Sequence, residues 1–365
     1  MSQEVKPARD GFARGFRNHT PVVLVIAVLA ACGVLAGLEW FVASGAFTVI
    51  PERSLLRIAN DDYAHISYRM AELKKKPPAG QAIYLFGGSS TMDMIRSESS
   101  LSNAISTPAG HPRVISLAYH AQSLGQVLAL IDNLPSTKAL LAIGISPNHF
   151  TTSPLSDEKQ LGGSPIAVMS SRLAAALKGR VSSSHRLPGM LNSVLDFAVS
   201  YVTHRASLTG PWFSSVTYSK HYAHGSNSAS LSARMAGSRE ELPREKKLYR
   251  VNAGYNLTLL ANIVQLARER GFAVVFFEQP LAPEASGPGW DRFLASYEAD
   301  IGALARKLKV VEIQVEPVAR LTMNNFYDMF HLLDSGRDKW TPPLGKALAR
   351  ALANESARCS PSAAL

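Results

Sequence analysis

Cysteine and acidic residues are scarce in this 365-residue chain. Its only two cysteines are Cys32, inside an apolar run, and Cys359, near the C-terminus, so neither a disulfide framework nor a cysteine-based metal site is expected. The 28 acidic residues are outnumbered by 38 lysines and arginines, which gives a net charge of +10. A balance this basic suggests an anionic neighbour, such as lipid headgroups, an acidic polymer or nucleic acid.

The sequence motifs of several common binding sites are also missing. There is neither Cys/His finger spacing nor an RNP-like aromatic strand, which favours a membrane or an acidic polymer over nucleic acid as the partner. HExxH, CxxC and carboxylate clusters are absent, so no metal is predicted. The chain has no GxGxxG fingerprint, and no cofactor is predicted.

An uncharged apolar run dominates the N-terminal part of the chain. Residues 21–38 carry no charge, and the apolar character continues past Glu39 and Trp40 to Ile50. This is long enough to cross a bilayer, and we predict a transmembrane helix over 21–46. Cleavage after Ala46, as in a signal peptide, is the alternative. Because basic residues precede the run, the N-terminus should stay in the cytoplasm and the remaining chain should face the periplasm or the exterior.

Alternating strand and helix patterns begin at Gln81 and indicate an α/β domain. They predict a five-stranded parallel sheet with helices on both faces. The predicted strands are 82–86, 114–117, 140–145, 273–278 and 310–313, and the predicted helices are 123–133, 255–270, 290–308 and 344–354.

The alternation is interrupted by an insertion at 151–249. It contains two predicted helices, 165–178 and 190–204, and a polar stretch at 207–239. A segment of this length is either a lid over the site or a flexible insertion. The predicted organisation is a cytoplasmic tail (1–20), the membrane helix (21–46), a stalk or linker (47–78) that is helical over 51–76, a discontinuous catalytic domain (79–150 and 250–356), the insertion (151–249) and a disordered tail (357–365).

Ser89 is the candidate nucleophile of a catalytic site. It follows the first strand at Gly87 and Gly88, and the carboxyl ends of strands are where open α/β sheets bind their ligands. A serine hydroxyl needs a base, and His331 is the candidate because imidazole titrates near neutral pH. Asp328, three residues earlier, would orient that imidazole. Ser90 is the alternative nucleophile.

Two further loops would supply donors for a developing oxyanion. The candidates are the backbone N–H groups of Ser89 and Ala118 and the side chain of Asn148, with Gly88 beside them at the turn. A simple turn role for Asn148 is the alternative. His120 and His149, on the same rim, are expected to contact substrate rather than to act as the base.

These residues resemble the four sequence blocks of SGNH (GDSL-type) hydrolases. The blocks are Gly87-Gly88-Ser89 with Thr91, the loops at 116–123 and 144–150, and Asp328-x-x-His331. Within that superfamily the chain is most similar to the DltD family of membrane-anchored D-alanyl transfer proteins, through segments 145–150, 276–280 and 323–332. It departs from the family pattern at three places: Gly88 replaces an aspartate or serine, Ala118 a glycine, and Ser146-Pro147-Asn148 an Asn-Asp pair.

The resemblance implies a three-layer, flavodoxin-like fold and an acyl-serine mechanism. In it Ser89 attacks an ester or thioester, His331 relays the proton and Asp328 orients His331. It also implies an MBOAT-type acyltransferase as membrane partner and an anionic envelope polymer or polysaccharide as acceptor. We therefore expect a single-pass, cytoplasmic-membrane-anchored acyltransferase that moves a D-alanyl or acetyl group on the outer side. A polysaccharide O-acetyl esterase and a non-catalytic scaffold for a membrane acyltransferase are the alternatives.

Overall fold

The computed structural model describes residues 21–49, 62–108, 110–162, 170–180, 231–282 and 288–358. The predictions for the tail at 1–20, the helix at 190–204, Cys359 and residues 359–365 lie outside the described residues.

A five-stranded sheet, parallel throughout, forms the centre of the described structure. Its strands are β1 (Ala82–Phe86), β2 (Arg113–Ser116), β3 (Ala139–Ile145), β4 (Ala273–Glu278) and β5 (Val311–Ile313). The spatial order is β2-β1-β3-β4-β5, the order of flavodoxin-like doubly wound sheets. The predicted α/β class and parallel sheet are confirmed, and every strand lies within one residue of its predicted bounds.

The two central strands are buried along their whole length. Every residue of β1 and of β3 is buried, as expected where both faces of a parallel sheet are covered. β1 pairs with β2 on one side and β3 on the other, in registers that align Ala82 with Arg113 and with Ala139. The carboxyl ends of β1, β2 and β3 therefore meet at one edge.

Helices connect the strands. They are α1 (Pro21–Ala43), α2 (Asp62–Lys75), α3 (Ser89–Asp93), α4 (Glu98–Ala104), α5 (Leu124–Asn133), α6 (Pro154–Gly162), α7 (Ser171–Leu177), α8 (Leu231–Glu269), α9 (Pro288–Leu308), α10 (Glu316–Ala319) and α11 (Asp334–Arg358). Short 3-10 helices occupy Ala46–Val49, Pro147–Phe150 and Met323–Asn325.

Two helices extend well beyond their predicted bounds. The helix predicted at 255–270 is the C-terminal part of α8, which begins at Leu231 despite Pro243 inside it. The helix predicted at 344–354 belongs to α11, which begins at Asp334 and contains Pro342 and Pro343. These prolines deprive two carbonyl groups, those of Asp338 and Lys339, of their helical donors. Both residues are exposed, so water can solvate these carbonyls.

The apolar run at the N-terminus forms α1, a 23-residue helix that exposes many large apolar side chains, among them Val22 to Ile26 and Trp40. A search of the described residues for helices long and apolar enough to cross a membrane finds none.

The helix within the predicted stalk packs onto the domain. Ile66, Met70 and Leu73 of α2 are buried in the core cluster, four and three residues apart and so on one helical face. The helix ends at Lys75, within the exposed run Lys74–Lys76.

The described start of the insertion is tied to the domain by a buried carboxylate. Asp157 of α6 is fully buried and accepts hydrogen bonds from the hydroxyl groups of Ser123 and Tyr255. Burial raises the pKa of Asp157 to about 6, although both hydrogen bonds oppose the rise. The carboxylate joins α6 to the start of α5 and to α8, which anchors the chain that follows β3.

Candidate active site

A tight turn after β1 presents Ser89 at the edge of the sheet. Gly87 has φ +143°, and a Cβ there would lie 2.1 Å from Oγ1 of Thr91, so only glycine fits. Gly88 then caps α3, of which Ser89 is the first residue. The strand ends and the helix begins within two residues, which leaves Ser89 partly exposed while Ser90 and Thr91 are buried.

Two glutamines hold this turn in place. The Oε1 atom of Gln122 accepts the Gly87 N–H at 2.7 Å, and its Nε2 donates to the Leu117 carbonyl at 2.7 Å. Gln279, after β4, donates from Nε2 to Oγ1 of Thr91 at 2.7 Å. Neither glutamine was predicted from the sequence to support this turn, although Gln279 lies in the segment 276–280 noted there.

The loop before α11 carries His331 and Asp328. It folds back on itself through an isolated antiparallel bridge between Phe326 and Leu332 and a hydrogen bond from the Tyr327 N–H to the His331 carbonyl at 2.8 Å. Inside it, Oδ1 of Asp328 accepts the backbone N–H groups of Phe330 and His331 at 2.9 and 3.0 Å. An aspartate that closes such a turn is held in place by its own backbone.

Ser89, His331 and Asp328 form a continuous hydrogen-bonded chain. Nε2 of His331 lies 2.8 Å from Oγ of Ser89, and Nδ1 lies 2.8 Å from both carboxylate oxygens of Asp328. If Nδ1–H donates to the carboxylate, the lone pair of Nε2 faces the serine hydroxyl. The structure thus brings together the three residues that the sequence proposed as nucleophile, base and orienting carboxylate.

The electrostatics suit an ionised carboxylate beside the imidazole. Burial alone would raise the pKa of Asp328, but the hydrogen bond and charge of His331, with two backbone N–H groups, outweigh it and lower this pKa below the ordinary value. His331 is 8% exposed. A half-buried carboxylate that stays ionised stabilises the imidazolium form that a general base becomes.

A buried ion pair joins α3, which begins with Ser89, to α11, which follows His331. Arg337 of α11 donates from Nε to the Asp93 carbonyl at 2.8 Å and from Nη2 to Oδ1 of Asp93 at 3.0 Å. Asp93 ends α3 and is fully buried, and Arg337 is 6% exposed. The pair fixes the distance between α3 and α11, and with it the approach of His331 to Ser89.

We predict that Arg337→Met lowers the free energy of unfolding by about 3–5 kcal/mol, because it leaves the Asp93 carboxylate buried without its cation. The matched variant Arg96→Met removes an exposed arginine that pairs with Asp334 and Asp338, and it should change stability little. Urea unfolding of both proteins is the measurement. Equal, small losses in the two variants would contradict the structural role of the buried pair.

The other predicted site residues have different surroundings. Ser90 is buried one residue after Ser89, whose Oγ is the hydroxyl 2.8 Å from Nε2 of His331. Ala118 is buried on the loop after β2, between Leu117 and Tyr119, whose N–H groups donate to the β1 segment. The described residues offer no acceptor to the N–H of Ala118 or of Ser89. Asn148 is exposed, and its carbonyl accepts from Thr151.

The two rim histidines differ from each other. Nδ1 of His120 lies 2.5 Å from Oδ2 of Asp62, and this hydrogen bond raises the pKa of His120, opposed in part by burial. His120 therefore joins the loop after β2 to the start of α2. His149 is instead buried, 5% exposed, on the 3-10 helix after β3.

Within the described ranges, no group of His, Cys, Asp or Glu side chains is arranged to hold a metal ion. A scan of the chain against protein-family models gives no match, and a search among curated proteins gives no significant match.

Proposed function

We propose that the protein is a DltD-like serine acyltransferase of the SGNH type, anchored to the cytoplasmic membrane, which moves a D-alanyl or acetyl group on an envelope polymer through an acyl-Ser89 intermediate. One observation carries the proposal: the continuous hydrogen-bonded chain from Ser89 through His331 to Asp328 at the carboxyl end of β1. An activated serine is characterised by a base within hydrogen-bond distance of its hydroxyl and by a third group that orients the base.

The proposed reaction has two steps, acylation of Ser89 and transfer of the acyl group to the acceptor. Ser89 Oγ attacks the carbonyl carbon of the acyl donor while its proton passes to Nε2 of His331. The bond between the acyl carbon and the donor then breaks, and the leaving group takes that proton from His331. In the second step, His331 removes a proton from the acceptor hydroxyl, whose oxygen attacks the acyl carbon, and returns the proton to Oγ of Ser89 as the ester to the enzyme breaks.

The negative charge on the carbonyl oxygen needs donors in both steps. The backbone N–H groups of Ser89 and Ala118 are suited to this role, since neither has an acceptor among the described residues. A backbone donor does not depend on side-chain identity, so alanine in place of glycine at position 118 keeps this group available.

Membrane attachment and an anionic acceptor belong to the same proposal. They rest on the uncharged run at 21–38 and on the net charge of +10. A positively charged protein favours encounter with an anionic polymer. An MBOAT-type acyltransferase in the membrane would supply the acyl group. With water as the acceptor, the same site is an esterase.

The test compares envelopes from wild-type cells and from a strain carrying Ser89→Ala. Alkali-released acyl groups are quantified in an assay that separates D-alanine from acetate, with Ser296→Ala, an exposed serine on α9, as the control. Less of one acyl group in the Ser89→Ala strain supports a transferase and identifies its cargo. More of one acyl group would identify an esterase, and no change would favour the non-catalytic scaffold.

A further inference from the structure

His149 lies against the turn that carries the nucleophile. Its 3-10 helix, Pro147–Phe150, follows β3, the neighbour of β1 in the sheet. A Cβ added to Gly88 would lie 3.8 Å from Nε2 of His149, which is van der Waals distance. Because Gly88 has no side chain, its position does not block the imidazole edge from the start of α3.

The hydrogen bonds at the other ring nitrogen decide where the proton of His149 sits. The backbone N–H of Ser146 donates to Nδ1 at 3.1 Å, and Oγ of Ser146 lies 3.0 Å from the same atom. A backbone N–H can only donate, so Nδ1 accepts and the neutral ring carries its proton on Nε2. The Nε2–H group has no acceptor among the described residues.

His149 also stays neutral under working conditions. Burial lowers the pKa of His149 to about 4. A neutral imidazole whose N–H no described residue accepts is a hydrogen-bond donor that cannot compete with His331 for the serine proton.

The segment around His149 is held rigidly. Asn252 and Asn256 of α8 donate from their Nδ2 atoms to the carbonyl groups of Thr151 and Thr152, each at 2.8 Å. A donor fixed before the reaction stabilises developing charge without having to reorganise.

We propose that Nε2–H of His149 is the third oxyanion donor of this site, beside the backbone N–H groups of Ser89 and Ala118. The inference rests on the proposed acyl-serine function and deepens it. It assigns to His149 the role that the sequence had suggested for the exposed Asn148. The loop after β3 thus still provides a side-chain donor, which is His149 rather than its neighbour Asn148.

The test uses p-nitrophenyl acetate as the substrate and a fluorophosphonate as a probe of Ser89. His149→Phe keeps a ring of similar size but removes the donor, so kcat should fall about 10²–10³-fold while KM changes little. His111→Phe is the matched control, an exposed histidine on the loop before β2, and it should keep the wild-type kcat.

A second pair keeps the test decisive if phenylalanine disturbs packing. His149→Gln retains an N–H donor and His149→Met does not, so the glutamine variant should turn over at least tenfold faster at an equal melting temperature. Equal rates in these two variants, or a wild-type kcat in His149→Phe, would overturn the assignment. If the wild-type protein itself fails both to hydrolyse the ester and to react with the probe, the proposed function fails instead.

Discussion

Replacing Ser89 with alanine is expected to lower kcat for p-nitrophenyl acetate by at least about 10⁴-fold, since no other group in the proposed mechanism can carry the acyl intermediate. The fluorophosphonate probe should label the wild-type protein and not the variant. The melting temperature should stay close to that of the wild type, because Ser89 is partly exposed and a hydroxyl group is the only part removed.

The neighbouring serine provides the comparison. Ser90 is buried on the same helix, one residue further from the turn, whereas Ser89 is partly exposed and its Oγ lies 2.8 Å from Nε2 of His331. Ser90→Ala should therefore keep most of the activity and all of the labelling. If labelling is lost in Ser90→Ala and retained in Ser89→Ala, the nucleophile has been assigned to the wrong hydroxyl.

The second large effect is expected for Asp328→Asn, which should lower kcat on the order of 10³–10⁴-fold. In the proposed mechanism the carboxylate accepts a hydrogen bond from Nδ1–H of His331. An amide in its place can donate to Nδ1, and the imidazole proton then moves to Nε2, where it blocks transfer from Ser89. Asp291→Asn, at an exposed position on α9, controls for the loss of one charge, and near-normal turnover in Asp328→Asn would remove Asp328 from the mechanism.

The same variant has a pH signature in stability. The folded-state pKa of Asp328 lies below its ordinary value, so the ionised carboxylate stabilises the fold at neutral pH. That contribution is lost as the pH falls through the folded-state pKa. The difference in unfolding free energy between wild type and Asp328→Asn should therefore shrink towards acid pH. A difference that does not depend on pH would mean that the carboxylate acts through packing alone.

The sheet and the three residues of the hydrogen-bonded chain could be predicted from sequence because their signals are local. The apolar run of β1 ends abruptly at Gly87, and the Asp-x-x-His spacing closes a turn that brings Asp328 to His331. Once parallel strands are inferred, their carboxyl ends must meet at one edge, so Ser89 is close to the loops after β2 and β3 by topology alone.

Features that depend on the packing of distant segments could not be predicted. Asn148 and His149 are adjacent, and only the packed structure reveals that His149 points inward while Asn148 is exposed. The supports provided by Gln122, Gln279 and Arg337 are single polar side chains without periodicity. The predicted helices at 255–270 and 344–354 start later than α8 and α11 do, and both observed helices continue through prolines, Pro243 in α8 and Pro342 and Pro343 in α11.

The positions of Ser89 and His331 along the chain determine when the proposed nucleophile meets its proposed base. The two residues are separated by 242 positions, and Arg337, which pairs with Asp93 of α3, comes later still. During synthesis the serine emerges early, but a growing chain that has not reached α11 has no base beside it. In the proposed mechanism the hydroxyl therefore remains an ordinary, unreactive alcohol until α11 docks, and completion of this part of the fold and activation of the nucleophile are a single event.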